Sequence, residues 1–216
     1  MTEPSRLEIA YTQIRQKILQ GDFSPGTLLS ENELAAELDM SRTPIRTAIS
    51  RLETEGYVES LKNRGILVKA ISPLEVMELF ELQVSLQLFV LDVAEKRQYT
   101  FDIQQLRDIF AEQQEATEAK DYLRYAECTF AFISSFIAIG RNQTMVNLIQ
   151  SSKDKIIRAA VVNYRATPYQ KHYSGTLYTE AMLNAIESND LSKLRSIVSR
   201  FGETIRERAI MEGFSF

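Results

Sequence analysis

Apolar positions recur at helical spacing along almost the whole chain, broken near residues 57–69 by a short stretch that reads as strand. Leu7, Ala10, Tyr11, Ile14 and Ile18 share one helix face, and Gly21 stops that run. Pro25-Gly26 suits a tight turn. Ser30-Glu31-Asn32-Glu33 reads as a capping box, its hydroxyl and carboxylate satisfying orphan amides at a helix start, with Leu34, Ala35 and Leu38 burying the short helix behind it. Only Asp39-Met40 separates that helix from Ser41, which can cap a third helix with Pro44 inside its first turn. Helix, short turn, helix is the spacing of a helix-turn-helix. Tyr57 to Leu61 and Ile66 to Lys69 then read as two strands joined through Lys62-Asn63-Arg64-Gly65, the wing of a winged module.

On the third helix Ile45, Ala48, Ile49 and Leu52 fall on one face, which must pack on the first two helices. Thr43, Arg46, Thr47 and Ser50 fall opposite, with Arg42 on the flank. That polar face holds groups able to reach base edges and phosphates and no acid of its own. Arginine suits guanine because its fork matches O6 and N7, so Arg42 and Arg46 are the expected base readers. A surface helix with two arginines is commonplace; what favours DNA is the order of capping box, short turn, segregated polar face and basic hairpin.

The net charge of −4 argues at first sight against nucleic acid. Its distribution answers the objection. Residues 41–51 hold Arg42, Arg46 and Arg51 with no acid among them, and residues 61–70 hold Lys62, Arg64 and Lys69, again with none.

Ala70-Ile71-Ser72-Pro73 reads as a linker, Ser72 capping the next helix and Pro73 opening it. Beyond it the periodicity predicts helices over 73–97, 101–118, 120–139, 142–166, 168–188 and 190–211, an antiparallel bundle with short loops. The expected fold class is therefore mainly α: a winged helix-turn-helix over 1–70, a linker at 71–73 and an all-helical domain over 74–216. No repeat, low-complexity tract or glycine-rich phosphate cradle is present in the sequence.

At 216 residues and 44% apolar composition the chain can bury two small cores. No segment has the roughly 18 consecutive apolar residues of a membrane span, and Met1-Thr2-Glu3-Pro4-Ser5-Arg6 is polar, unlike a signal peptide. A cytoplasmic protein with no membrane partner is expected. The single Cys128 lies in an apolar-periodic run and reads as a core thiol, and the single His172 cannot supply a Ser-His-Asp or Cys-His arrangement. An enzyme with a DNA-binding appendage is disfavoured on that ground, and a nonspecific architectural protein by the acidic net charge.

The N-terminal residues resemble the GntR family of bacterial regulators. Ile14-Arg15, Ile18-Leu19, Gly21, Pro25-Gly26, Leu28, Ser30-Glu31, Leu34-Ala35, Leu38, Ser41-Arg42-Thr43-Pro44-Ile45-Arg46, Ala48, Leu52, Gly56 and Gly65 stand where that family's pattern has them. The resemblance implies a homodimer on a pseudo-palindromic operator in double-stranded DNA. Arg42 and Arg46 would touch bases, Ser41 and Thr43 phosphate, and the Lys62-Arg64-Gly65 wing the minor groove. Asn32 departs from relatives that have a DNA-contacting arginine there.

The helical region resembles the FadR branch, whose C-terminal FCD domain dimerises and encloses an effector pocket. Glu78-Leu79-Phe80-Glu81-Leu82, Phe132 ahead of Asn142, and Ala185-Ile186 before Asn189-Asp190 carry that resemblance. Many members bind a divalent metal there through one aspartate and three histidines. Here those positions fall on Thr129, Ile133, Thr179 and Phe201, and isoleucine and phenylalanine offer no lone pair. No metal and no cofactor are expected.

The first helix of that domain often carries an arginine and a glutamate toward the pocket, where this chain has Gln83 and Gln87. The expected cavity is more apolar, with Phe80, Ile133 and Phe201 as walls and Gln83, Gln87, Thr129, Thr179 and Arg158 as polar contacts to a small-molecule effector. The expected function is a sequence-specific repressor of a metabolic operon controlled by that small molecule; the alternative is that these apolar residues fill the space, leaving a regulator that is blind to effectors and set by its own abundance.

Overall fold

The computed structural model describes residues 4–211, and its chain divides after Ile71 into two compact units. The first contains α1 (Arg6–Leu19), β1 (Leu28–Leu29), α2 (Glu31–Glu37), α3 (Arg42–Thr54), β2 (Val58–Leu61) and β3 (Gly65–Val68). Its core is built by the stripe the spacing predicts: Ala10, Ile14 and Ile18 of α1 meet Ile45, Ala48, Ile49 and Leu52 of α3, with Leu34 and Ala35 of α2 beneath. Ser30 caps α2, its Oγ accepting from the Glu33 amide at 3.1 Å. The turn into α3 reverses at Asp39, whose φ of +50° lets the Met40 N–H return to the Ala35 carbonyl at 2.9 Å. Ser41 occupies the N-cap of α3, yet its hydroxyl makes no capping bond, contrary to the role expected of it.

The sheet has three strands in the order β1-β3-β2, all antiparallel. Sequence reasoning missed β1, because two residues are too few to show alternation. Its pairing of Leu29 with Ile66 ties the wing to the helical core. Gly65 begins β3 at φ +104°, where a Cβ would stand 2.7 Å from the Leu29 carbonyl oxygen. Only glycine fits both demands.

The second unit contains α4 (Pro73–Arg97), α5 (Ile103–Glu118), α6 (Tyr122–Ala138), α7 (Gln143–Ala166), α8 (Ser174–Glu187) and α9 (Leu191–Met211). α6 is buried on nearly every side, through Tyr125, Cys128, Phe132, Ile133, Phe136 and Ile137 among others, and packs against α4, α5, α7 and α8. A helix apolar all round belongs at the centre of a bundle. The remaining helices surround it, and Ser72, Asp102, Asp121 and Asn142 cap α4 to α7 through their side chains. The expected helix over 168–188 begins only at Ser174. Before it the Gln170 N–H and the His172 ring both turn back to Thr167, at 3.0 and 2.6 Å to its carbonyl oxygen, closing a loop instead of a first helical turn. Among the described residues no helix is long and apolar enough to cross a membrane.

Candidate nucleic-acid interface and effector cavity

The outer face of α3 is solvent-exposed at Ser41, Arg42, Thr43, Arg46, Thr47 and Ser50, while its opposite face is buried. A groove runs between this helix and the β2–β3 hairpin, lined in part by Arg42, Arg46, Ser50 and Gly65. Glu53, one turn further along α3, fixes the hairpin: its carboxylate accepts from the Ser60 amide at 2.6 Å and from the Ser60 hydroxyl at 2.9 Å. Recognition-type helix and wing are thereby locked in one arrangement. Lys62 and Arg64 are exposed at the hairpin tip and make no ion pair among the described residues.

An acid does face the arginines, contrary to expectation, and it comes from α2. Glu31 accepts from Arg46 Nε at 3.0 Å, from Arg46 Nη2 at 2.9 Å and from Arg42 Nη2 at 2.9 Å. Hydrogen bonds from Arg46 first, and then from Arg42, hold its carboxyl well below the usual carboxylate range, at about 2. The sequence placed this glutamate in a capping box; the fold brings it across eleven and fifteen positions onto the two guanidiniums.

Arg51 is exposed, but its charge is paired within the unit. Its guanidinium lies 3.7 Å from the Tyr11 ring centroid and bonds Glu55 and Glu8, pinning α3 to α1. Its share of the sequence's basic island is spent inside the unit.

In the second unit the four positions aligned with the family's metal ligands do not form a donor set. Thr129 Oγ1 donates to the Tyr125 carbonyl at 2.9 Å and accepts from Gln113 Nε2 at 2.6 Å, while Thr179 Oγ1 donates to Gln113 Oε1 at 2.6 Å. A neutral amide thus bridges the two threonines. Ile133 is buried in the core, and Phe201 stacks on Tyr178 with centroids 4.0 Å apart. Neutral hydroxyls and apolar side chains do not suit a divalent cation. Among the described residues no three His, Cys, Asp or Glu side chains gather to hold a metal. Gln113 gave no signal in the sequence, since its role depends on contacts 16 and 66 positions away.

Beside this network lies a cavity of about 420 Å³, lined among others by Phe80, Gln83, Tyr122, Thr129, Ile133 and Phe201. Five residues singled out in the sequence, Phe80 and Gln83 on α4, Thr129 and Ile133 on α6 and Phe201 on α9, thus share one wall system. Three do not. Gln87 is fully buried and accepts from the Tyr178 hydroxyl at 2.9 Å, Thr179 is engaged by Gln113, and Arg158 is buried on α7 between the lining residues Ile157 and Ala159 without itself lining the cavity. His172 also reaches the cavity wall, its ring edge-on to Tyr122 and Tyr164. Burial raises the Tyr122 phenol above its ordinary value, so this hydroxyl stays neutral at neutral pH.

These features define a winged helix-turn-helix module and a helical bundle that contains a cavity, and comparison with known proteins agrees with that division. Residues 7–68 match the bacterial regulatory proteins of the gntR family, and residues 78–204 match the FCD domain. The chain belongs to the GntR family and is a DNA-binding transcriptional regulator of the FCD type. It is 30% identical over 146 residues, 67% of its length and 68% of the other's, to the Nta operon transcriptional regulator of Aminobacter aminovorans. The gluconate operon transcriptional repressor of Bacillus licheniformis is 35% identical over 80 residues, 37% of this chain and 32% of the repressor. In fold, the crystal structure of a transcriptional regulator GntR from Rhodococcus sp. RHA1 superposes with a TM-score of 0.76 at 20% identity, covering 96% of this chain and 98% of the other.

Proposed function

We propose that this regulator acts in the cytoplasm as a homodimeric repressor of a metabolic operon. It reads a pseudo-palindromic operator through Arg42 and Arg46 and releases it when a small molecule enters the cavity of the FCD domain. The observation that carries the reading is the exposed face of α3, with both guanidiniums lining a groove whose other side is the glycine-tipped wing. In this arrangement Arg42 and Arg46 take base edges, Ser41, Thr43, Thr47 and Ser50 approach phosphates and neighbouring bases, and Lys62, Arg64 and Gly65 enter the minor groove. Likeness to a gluconate operon repressor supports repression over activation. Leu74 and Phe89, about half exposed on α4, offer apolar surface for a second copy to cover.

The cavity supports control by an effector over control by abundance alone, because a core that simply filled its space would leave no volume of this size. By linkage, a ligand that favours the state less suited to DNA weakens operator binding by the same factor that operator weakens the ligand. Selecting genomic fragments with the purified protein and measuring affinity for the selected and scrambled sequences tests the DNA reading. Equal affinity for both would overturn it.

A further inference from the structure

We infer that the cavity takes an uncharged, largely apolar ligand, ring-bearing and carrying one hydrogen-bond donor of the phenol, alcohol or amide type. This rests on the effector reading above and names the chemistry that the site selects.

The decisive atom is Gln83 Oε1. Gln83 is 2% exposed, lines the cavity, and this oxygen has no hydrogen-bond partner among the described residues. A buried acceptor without a donor is unfavourable, so a ligand that brings an N–H or O–H to it gains an interaction the free protein lacks. Two polar side chains beside it are already engaged. Thr129 both donates and accepts within the Tyr125–Thr129–Gln113 chain, and Gln87 is held by Tyr178 while donating to the Gln83 carbonyl at 3.2 Å.

Ionisable side chains are sparse among the described lining residues. No carboxylate stands among the described lining residues, so a cationic ligand finds no counter-ion. The ionisable cations of the lining are Lys171 and His172, both in the loop before α8, and Lys171 is exposed. An anion could meet them only at the solvent edge, where screening weakens the attraction. The interior walls are instead Phe80, Tyr122, Tyr125, Phe130, Ile133 and Phe201, and aromatic walls favour a ring stacked or edge-on between them.

The chain has no tryptophan, so naphthalene fluorescence reports binding to the full-length protein directly. Three probes share one body: 2-naphthol, 2-methoxynaphthalene and 2-naphthoate. The expected result is 2-naphthol bound about tenfold more tightly than 2-methoxynaphthalene, the ratio one hydrogen bond supplies, with 2-naphthoate weaker than 2-naphthol. Gln83→Leu abolishes the preference for the hydroxyl and keeps 2-methoxynaphthalene bound; Gln83→Met serves if that variant does not fold. Equal binding of naphthol and methoxynaphthalene, or tightest binding of naphthoate, overturns the ligand class and leaves the cavity reading standing. Binding of none of the three overturns both.

Discussion

Glu31 accepts both hydrogen bonds of the Arg46 fork, at 3.0 and 2.9 Å, and so occupies the place a guanine edge would take. The same carboxylate holds Arg42. In the free protein the two arginines are therefore ordered and partly neutralised, and DNA must displace a competitor that sits in the same structure. A good operator site replaces the bidentate contact, whereas random sequence offers only phosphates in its place.

Glu31→Gln is accordingly expected to raise affinity for random DNA by about threefold to tenfold, and to raise affinity for the operator less, since it removes both a competitor and a negative charge from the interface. Competition binding by fluorescence anisotropy measures the two affinities. A fall in random-DNA affinity would show that the carboxylate acts by presenting the arginines and not by restraining them.

The titration of Glu31 gives an independent reading of the same contact. Its folded pKa of about 2 lies below the ordinary 4.5, so the pair's contribution is present above pH 4.5 and is lost as pH falls toward 2. Because both arginine side chains are solvent-exposed and the carboxylate is about a quarter exposed, the effect on stability is small. The displacement itself is measurable by carbon-detected NMR of the carboxyl. Replacing Arg42 and Arg46 together by alanine is expected to return the midpoint toward 4.5.

Gly65→Ala is expected to destabilise the first unit by about 1–3 kcal/mol, because a Cβ at φ +104° would press on the Leu29 carbonyl oxygen and break the seat of the wing on β1. Thermal unfolding reads this directly. Arg64→Ala, at the exposed tip, is expected to leave stability unchanged, to weaken all DNA sequences about evenly, and to reduce the salt dependence by roughly one counterion.

Gln113→Leu leaves the half-buried Thr129 and the buried Thr179 hydroxyls without their shared partner and is expected to cost about 1–3 kcal/mol in urea unfolding. Adding Thr129→Val and Thr179→Val is expected to recover part of that loss. Replacing a whole polar network with apolar groups of similar shape is milder than removing one member.

Much of this was legible in the chain because the signals were local. The polar face of α3, the stop at Gly21, the capping residues Ser30 and Ser72 and the glycine of the wing each lie within a few residues of the feature they define. The family positions at Thr129, Ile133, Thr179 and Phe201 showed that a metal donor set is missing, since two of those side chains have no lone pair. What escaped depends on long-range closure. Glu31 could not be seen on Arg42 and Arg46 before α2 was folded against α3, nor Gln113 between two threonines on other helices. Two local features escaped as well: β1 was too short to announce itself, and the Thr167–His172 loop replaced a helical turn through bonds from Gln170 and His172 to one nearby carbonyl. Arg51 looked like DNA-binding charge until Tyr11 was found beneath it.

The central claim is that the exposed face of α3 reads sequence, and it meets its most direct test in one binding measurement at physiological salt. Fluorescence anisotropy compares wild type and Arg46→Ala on the selected operator and on a scrambled duplex of the same length. Wild type is expected to prefer the operator by about a thousandfold or more. Arg46→Ala is expected to lose roughly tenfold to a hundredfold on the operator and far less on the scrambled duplex. Equal losses on both duplexes, or no preference in the wild type, would contradict the account.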